Sequence, residues 1–211
     1  MRNILTSLVL ASLFFGNAGV CVAGVYDDII VAANNGQTEV VVGLLERGLD
    51  VNTADRDGTT LLGIAARSGN LDLVDYLLRS RASTFKRNRY GDTALLLATS
   101  QGHVKVVTRL LDFGAELNPE KGWAPLHYAI LTGKQELVRL LLSKGAKTEL
   151  RAPNGRTAIM LAAMNGSTEA ANVLLQVGAD LGAKDYDGNT ASEIALAKGF
   201  STLAADLDSK K

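Results

Sequence analysis

Residues Gly122 to Gly145 read Gly-Trp-Ala-Pro-Leu-His-Tyr-Ala-Ile-Leu-Thr-Gly-Lys-Gln-Glu-Leu-Val-Arg-Leu-Leu-Leu-Ser-Lys-Gly. The stretch is a turn, a short helix, a glycine break, a second helix and a glycine stop. Pro125 suits a first helical position, where its missing N–H costs nothing. Leu126, Ala129 and Ile130 share one face of the first helix. Gly133 interrupts the pattern. Leu137, Val138, Leu140, Leu141 and Leu142 then give the second helix a wide apolar face, and Leu140 is expected to be buried. Gly145 fits the left-handed residue just past a helix end. Neither helix is long enough to stand alone in water, so the unit must stack on copies of itself.

Copies exist at a fixed period. The turn glycines Gly58, Gly91, Gly122, Gly155 and Gly188 are separated by 33, 31, 33 and 33 residues. The mid-unit glycines Gly36, Gly69, Gly102, Gly133, Gly166 and Gly199 step by 33, 33, 31, 33 and 33. Both registers slip by two at the same place, which locates one two-residue deletion between Gly114 and Gly122. Pro119 lies in that shortened connector, restricting the loop and removing a donor. A 33-residue period with Pro125-Leu126-His127 and endings such as Gly178-Ala179-Asp180 resembles the ankyrin repeat. The resemblance covers about residues 25–207. It implies an all-α solenoid of about six helix-turn-helix repeats with short β-turn fingers, at about 25–52, 53–84, 85–118, 119–148, 149–181 and 182–207. Residues 208–211 are expected to fray.

Two departures from the family pattern stand out. The second repeat has Arg81 where the others carry glycine. Left-handed backbone at Arg costs about 1–2 kcal/mol, so either that helix ends differently or the site is strained. In the last repeat, Ser192 and Glu193 replace apolar or His positions, as a polar outer cap requires. At the other end, Asp27 and Asp28 are read as first-turn residues that suit a helix dipole.

The chain before the array is different. Residues 3–26 carry no charge, Ile4 to Phe15 is an apolar run, and Cys21-Val22-Ala23 is small-x-small. This pattern reads as a secretory signal, residues 1–23, cleaved after Ala23. The alternatives are a membrane anchor through an uncleaved amino terminus and lipidation at Cys21. Gly16-Asn17 shortens the apolar run for an anchor, and Val20 is a poor residue before a lipidated cysteine. Cys21 is the single cysteine of 211 residues, so no intramolecular disulfide can form.

Charge excludes several functions. The 22 Lys and Arg balance the 22 Asp and Glu, and loss of Arg2 with the leader gives −1. Binding driven by charge to nucleic acid or a membrane surface is not expected. No serine or cysteine is placed as an activated nucleophile. His103 and His127 match family positions with structural roles, no third ligand stands at metal spacing, and no metal or cofactor is expected. His127→Ala is expected to cost less stability than Leu140→Ala. The Asp55/Asp57 and Asp185/Asp187 pairs are turn residues whose side chains bind nearby backbone N–H groups. Asn165-Gly166-Ser167 has the form of a glycosylation sequon but sits in a helix–helix turn.

The resemblance implies a non-enzymatic protein-binding module, like stand-alone bacterial ankyrin proteins, expected to be monomeric and periplasmic or secreted. An effector delivered to a host protein differs in destination only, and a hydrolase or metal enzyme lacks a base–nucleophile pair. Family contact positions, on finger tips and first-helix ends of one concave side, fall on Arg56, Asp57, Arg67, Arg89, Tyr90, Gln101, Lys121, Trp123, Leu131, Asn154, Arg156, Met164 and Tyr186. Tyr90, Trp123, Leu131 and Met164 are apolar where water is expected, and aromatics beside arginines are typical of interface hot spots. A ring of Arg89, Lys121 and Arg156 around Trp123 would favour an acidic protein partner, with Trp123 at the floor of a notch made by the deletion.

Overall fold

The computed structural model describes residues 18–210, with side chains from Gly24 onward. The twelve helices of this region form six pairs: α1 (Ala18–Asn34) with α2 (Thr38–Glu46), α3 (Leu61–Ser68) with α4 (Leu71–Arg79), α5 (Ala94–Gln101) with α6 (Val104–Asp112), α7 (Pro125–Leu131) with α8 (Gln135–Ser143), α9 (Ala158–Met164) with α10 (Thr168–Gln176), and α11 (Ala191–Ala197) with α12 (Ser201–Asp208). The first helices stack in the order α1, α3, α5, α7, α9, α11. The expected all-α repeat array is what the chain builds. Its β content among the described residues is one isolated antiparallel bridge, Ala54 to Thr60.

Small residues let the first helices approach closely. Ala65, Ala98, Ala129, Ala162 and Ala195 are fully buried in successive repeats. The second helices close over them with Leu73, Val74 and Leu77, then Val106, Val107 and Leu110, then Leu137, Val138 and Leu141. The spacing i, i+1, i+4 defines a narrower stripe than sequence suggested. Leu140 lies off it and is only half-buried, packed on the flank of the core, while Leu141 is fully enclosed.

Of the two alternatives at Arg81, the strained one is found. The helix-stop positions Gly48, Gly114, Gly145 and Gly178 all have positive φ, and Arg81 shares that conformation at φ 64°. It is the one such non-glycine among the described residues, and Cβ crowding there costs about 1–2 kcal/mol.

The ends of the array differ from expectation. Helix α1 begins at Ala18, so Asp27 and Asp28 lie in its third turn, not at its start. Residues 1–17 of the expected signal lie outside the described residues, and the rest of it opens α1. At the other end Ser192 is buried, while Glu193 closes a capping box by accepting from the Thr190 N–H at 2.7 Å. Past 208 the Ser209 N–H bonds Ala205 O and the Lys210 Nζ donates to Asn172 Oδ1.

Candidate functional site: the fingers of the third, fourth and fifth repeats

Each finger is a tight turn closed by two backbone bonds. In the second repeat the Asp55 N–H donates to Thr59 O and the Gly58 N–H to Asp55 O. Asp55 Oδ1 also accepts from the N–H groups of Asp57 and Thr59, both at 2.9 Å. Asn88 and Asp185 do the same in the third and last repeats. Asp55 and Asp185 are thus turn caps, as the sequence suggests, and Asn88 does the same with its amide oxygen. The fifth finger keeps the backbone bonds, through Ala152 N–H to Arg156 O and Gly155 N–H to Ala152 O, but has no side-chain cap at Ala152.

The fourth finger is the exception. Its corresponding residue is Pro119, which has no N–H to close onto Trp123 O. The two-residue deletion falls here too. Between this finger and its neighbours lies a cleft of about 740 Å³, lined by Arg87, Tyr90, Glu116, Pro119, Glu120, Lys121, Trp123 and Pro153. Trp123 is half-buried there, and its ring meets His127 and Tyr128 edge-on at 6.0 and 5.9 Å. Tyr90 stands on the rim, 62% exposed.

Beneath Trp123 a polar frame fixes the floor. The Tyr128 hydroxyl donates to Asp92 Oδ1 of the preceding repeat at 2.7 Å. Burial, and then this bond, push its phenol well above the ordinary value. His127 Nδ1 accepts from the Ala124 N–H at 3.1 Å, so its Nε2 must carry the hydrogen that bonds Leu150 O at 3.0 Å. Burial pushes the His127 pKa down, against the opposing pull of the Leu150 carbonyl. Since Ala124 offers no capping side chain, His127 takes the part that Glu193 plays in α11. His103 likewise bridges repeats, its Nε2 lying 3.0 Å from Arg67 O.

The structure does not assemble the expected ring of free cations. Arg89 pairs with Asp57 at 3.0 Å and stacks over Tyr90. Arg156 pairs with the buried Asp185 carboxylate at 3.2 Å and also contacts Met164 Sδ. Burial works against the Asp185 charge, but the Asn189 N–H, Arg156 and the Asp187 N–H outweigh it and hold this carboxyl low. Lys121 remains on the cleft with its chain neighbour Glu120, and the Arg87–Glu116 pair also lines it. The lining is thus balanced in charge.

The other candidate residues are dispersed. Leu131 and Met164 are half-buried against the core, so they do not form a free apolar surface. Arg67 donates to Asn34 at 3.2 Å, and Gln101 is exposed beside Ser100. Asn154 holds its own turn through the Arg156 N–H. The Tyr186 ring lies so close over Gly155 that a Cβ there would meet it at 2.6 Å. Arg56 and Asp57 line a separate groove against Tyr26, Ile30 and Val31. Asn165 of the apparent sequon is exposed, and its side chain donates to Ile130 O and Leu131 O of the preceding repeat. Sequence reasoning passed over Arg87, Glu116, Glu120 and Pro153 of the cleft, whose meeting depends on the fold of the shortened connector.

A family model described as Ankyrin repeats (3 copies) matches residues 62–152 and 147–207, and one described as Ankyrin repeats (many copies) matches residues 29–78. The chain belongs to the ankyrin repeat family. Ankyrin repeats are generally protein–protein interaction modules and typically non-enzymatic. A comparison with curated proteins finds no match. Within this ankyrin array, the described residues include no group of three or more His, Cys, Asp or Glu that could hold a metal. No helix among them is long and apolar enough to cross a membrane.

Proposed function

We propose that this ankyrin protein captures a protein partner on the finger side of its array, in the periplasm or outside the cell after export on residues 1–23. The observation that carries the reading is the cleft at the deletion. An aromatic floor at Trp123 and an exposed aromatic rim at Tyr90 have the anchor-and-rim composition of interface hot spots. A half-buried, edge-packed tryptophan offers large contact area with little ordering cost. The balanced charge of the lining favours a partner that inserts an apolar side chain between polar contacts. Arg156 serves the fifth and last fingers through Asp185, and its removal would confuse binding with stability. The contact set is therefore centred on Tyr90, Lys121 and Trp123.

A photo-crosslinking residue at Tyr90 tests this in the endogenous compartment. It should yield one discrete adduct that disappears when Trp123→Ala is added, while the same probe at Lys144 yields none. Adducts from Lys144 equal to those from Tyr90, unaffected by Trp123→Ala, would place the interface elsewhere. Mass spectrometry of the endogenous protein tests export. An amino terminus at Gly24 is expected, and an intact Met1 or a lipid on Cys21 would overturn it.

A further inference from the structure

A second surface adjoins the cleft, on the connector between α4 and α5, whose Arg87 and Tyr90 line the cleft while Arg79, Arg81, Phe85 and Lys86 do not. Residues 79–91 contain Arg79, Arg81, Lys86, Arg87 and Arg89 and no acidic residue. Arg87 and Arg89 are held in ion pairs with Glu116 and Asp57. Arg79, Arg81 and Lys86 are exposed, and their side chains have no ion-pair or hydrogen-bond partner among the described residues.

Two positions in this connector break the rule that their counterparts obey. Arg81 is the first, strained at a site where four other repeats place glycine. Phe85 is the second. Its counterparts Asn52, Asn118 and Glu149 each accept from a backbone N–H of the next repeat, at Ser83, Lys147 and Asp180. Phe85 can offer nothing to Glu116, its corresponding neighbour, and stands 62% exposed. The connector thus gives up backbone ease at one position and an inter-repeat hydrogen bond at another. In return it shows solvent an arginine and a phenylalanine four residues apart, at most about 14 Å along the chain. Sacrifices of local stability that gain nothing within the fold mark functional positions.

We infer that the Arg79–Lys86 connector binds an acidic polypeptide segment bearing one large apolar side chain, at a surface that adjoins the cleft but does not include Trp123. Arginine presents a planar fork that matches a carboxylate, and Phe85 supplies the apolar contact. The free cations are few and lie within one eight-residue stretch, and the next two cations along the chain, Arg87 and Arg89, are already paired with Glu116 and Asp57. That arrangement suits a short acidic segment; a nucleic-acid backbone or an anionic membrane needs an extended basic track.

Calorimetry on the protein tests the assignment. The probe is a synthetic dodecapeptide of Asp and Glu with one Leu and one Phe, with controls in which Asn and Gln replace the acids. Phosphatidylglycerol vesicles and a single-stranded oligonucleotide are titrated in parallel. The acidic peptide should bind in a salt-sensitive way, and the neutral one should not. Arg79→Gln, Arg81→Gly and Lys86→Gln together should weaken it about tenfold or more. Trp123→Ala should leave it unchanged, so this surface and the cleft succeed or fail separately.

Arg81→Gly and Phe85→Asn should each weaken binding while raising the unfolding midpoint, by about 2–4 °C where the full strain or hydrogen bond is recovered. Undiminished peptide binding by the variants, no peptide binding at all, or binding only of vesicles or oligonucleotide would overturn the assignment. A lowered midpoint in Arg81→Gly would overturn it too, by showing that this side chain holds the fold.

Discussion

His127→Ala should destabilise this protein more than Leu140→Ala, the reverse of what the sequence pattern suggests. His127 is 0% exposed. Its removal leaves the buried Ala124 N–H and the Leu150 carbonyl without their partners. The buried N–H costs about 1–3 kcal/mol, and the half-buried carbonyl less because water reaches it. With the cavity left by the ring, the total is about 2–5 kcal/mol. Leu140 is half-buried, so its truncation should cost about 1–2 kcal/mol, while Leu141→Ala should reach the full range of about 2–5 kcal/mol. Urea unfolding followed by circular dichroism measures all three. Equal or smaller loss in His127→Ala than in Leu140→Ala would refute the reasoning.

The same residue sets a pH dependence. Its native pKa lies below the ordinary value of 6.5, so as pH falls the unfolded chain takes up the proton first. Stability should be level above about pH 7 and decline below about pH 6.5, at no more than about 1.4 kcal/mol per pH unit for this group. His127→Ala should lose that part of the slope. An unchanged slope in the variant would assign it to other groups.

Other expectations concern the frame around the cleft. Tyr128→Phe should cost about 1.5–3 kcal/mol, because the Asp92 carboxylate loses a charge-assisted bond, and thermal unfolding checks it. Asp185→Asn should weaken the last finger, and amide exchange at Asp187 and Asn189 should speed up selectively. The wild-type Asp185 carboxyl is held below its ordinary pKa. Its contribution is therefore full above the usual carboxylate range and fades only as pH falls through the lower native value. Tyr90→Ala, at an exposed rim, should leave the unfolding midpoint unchanged within error while reducing partner capture.

The repeat architecture was legible because glycine spacing is a one-dimensional signal. Gly36 to Gly199 and Gly58 to Gly188 mark the turns directly, and Arg81 announces its strain by standing out of that row. The glycine steps also located the deletion that opens the cleft. What could not be read were partners 29 to 36 residues away. The pairing of Arg89 with Asp57 and of Arg156 with Asp185 depends on which side chain each finger presents to its neighbour. The same limit applies to Leu140 and Leu141, since a nine-residue helix with five apolar positions leaves the buried face uncertain by one residue. Asp27 and Asp28 were misplaced because the apolar run before them continues α1 backwards to Ala18.

Trp123 is the sole tryptophan of the chain, and it lines the cleft. Its edge contacts with His127 and Tyr128 make its emission sensitive to the state of that cleft alone. The unlabelled protein therefore carries an optical reporter at the proposed docking point. A ligand entering the cleft should shift and quench the indole signal, and one that settles on the Arg79–Lys86 connector should leave it unmoved. Protonation of the neighbouring imidazole should dim it only below the ordinary histidine range, at lower pH than the onset of the stability loss. One wavelength would then distinguish occupancy of the two surfaces in a single titration.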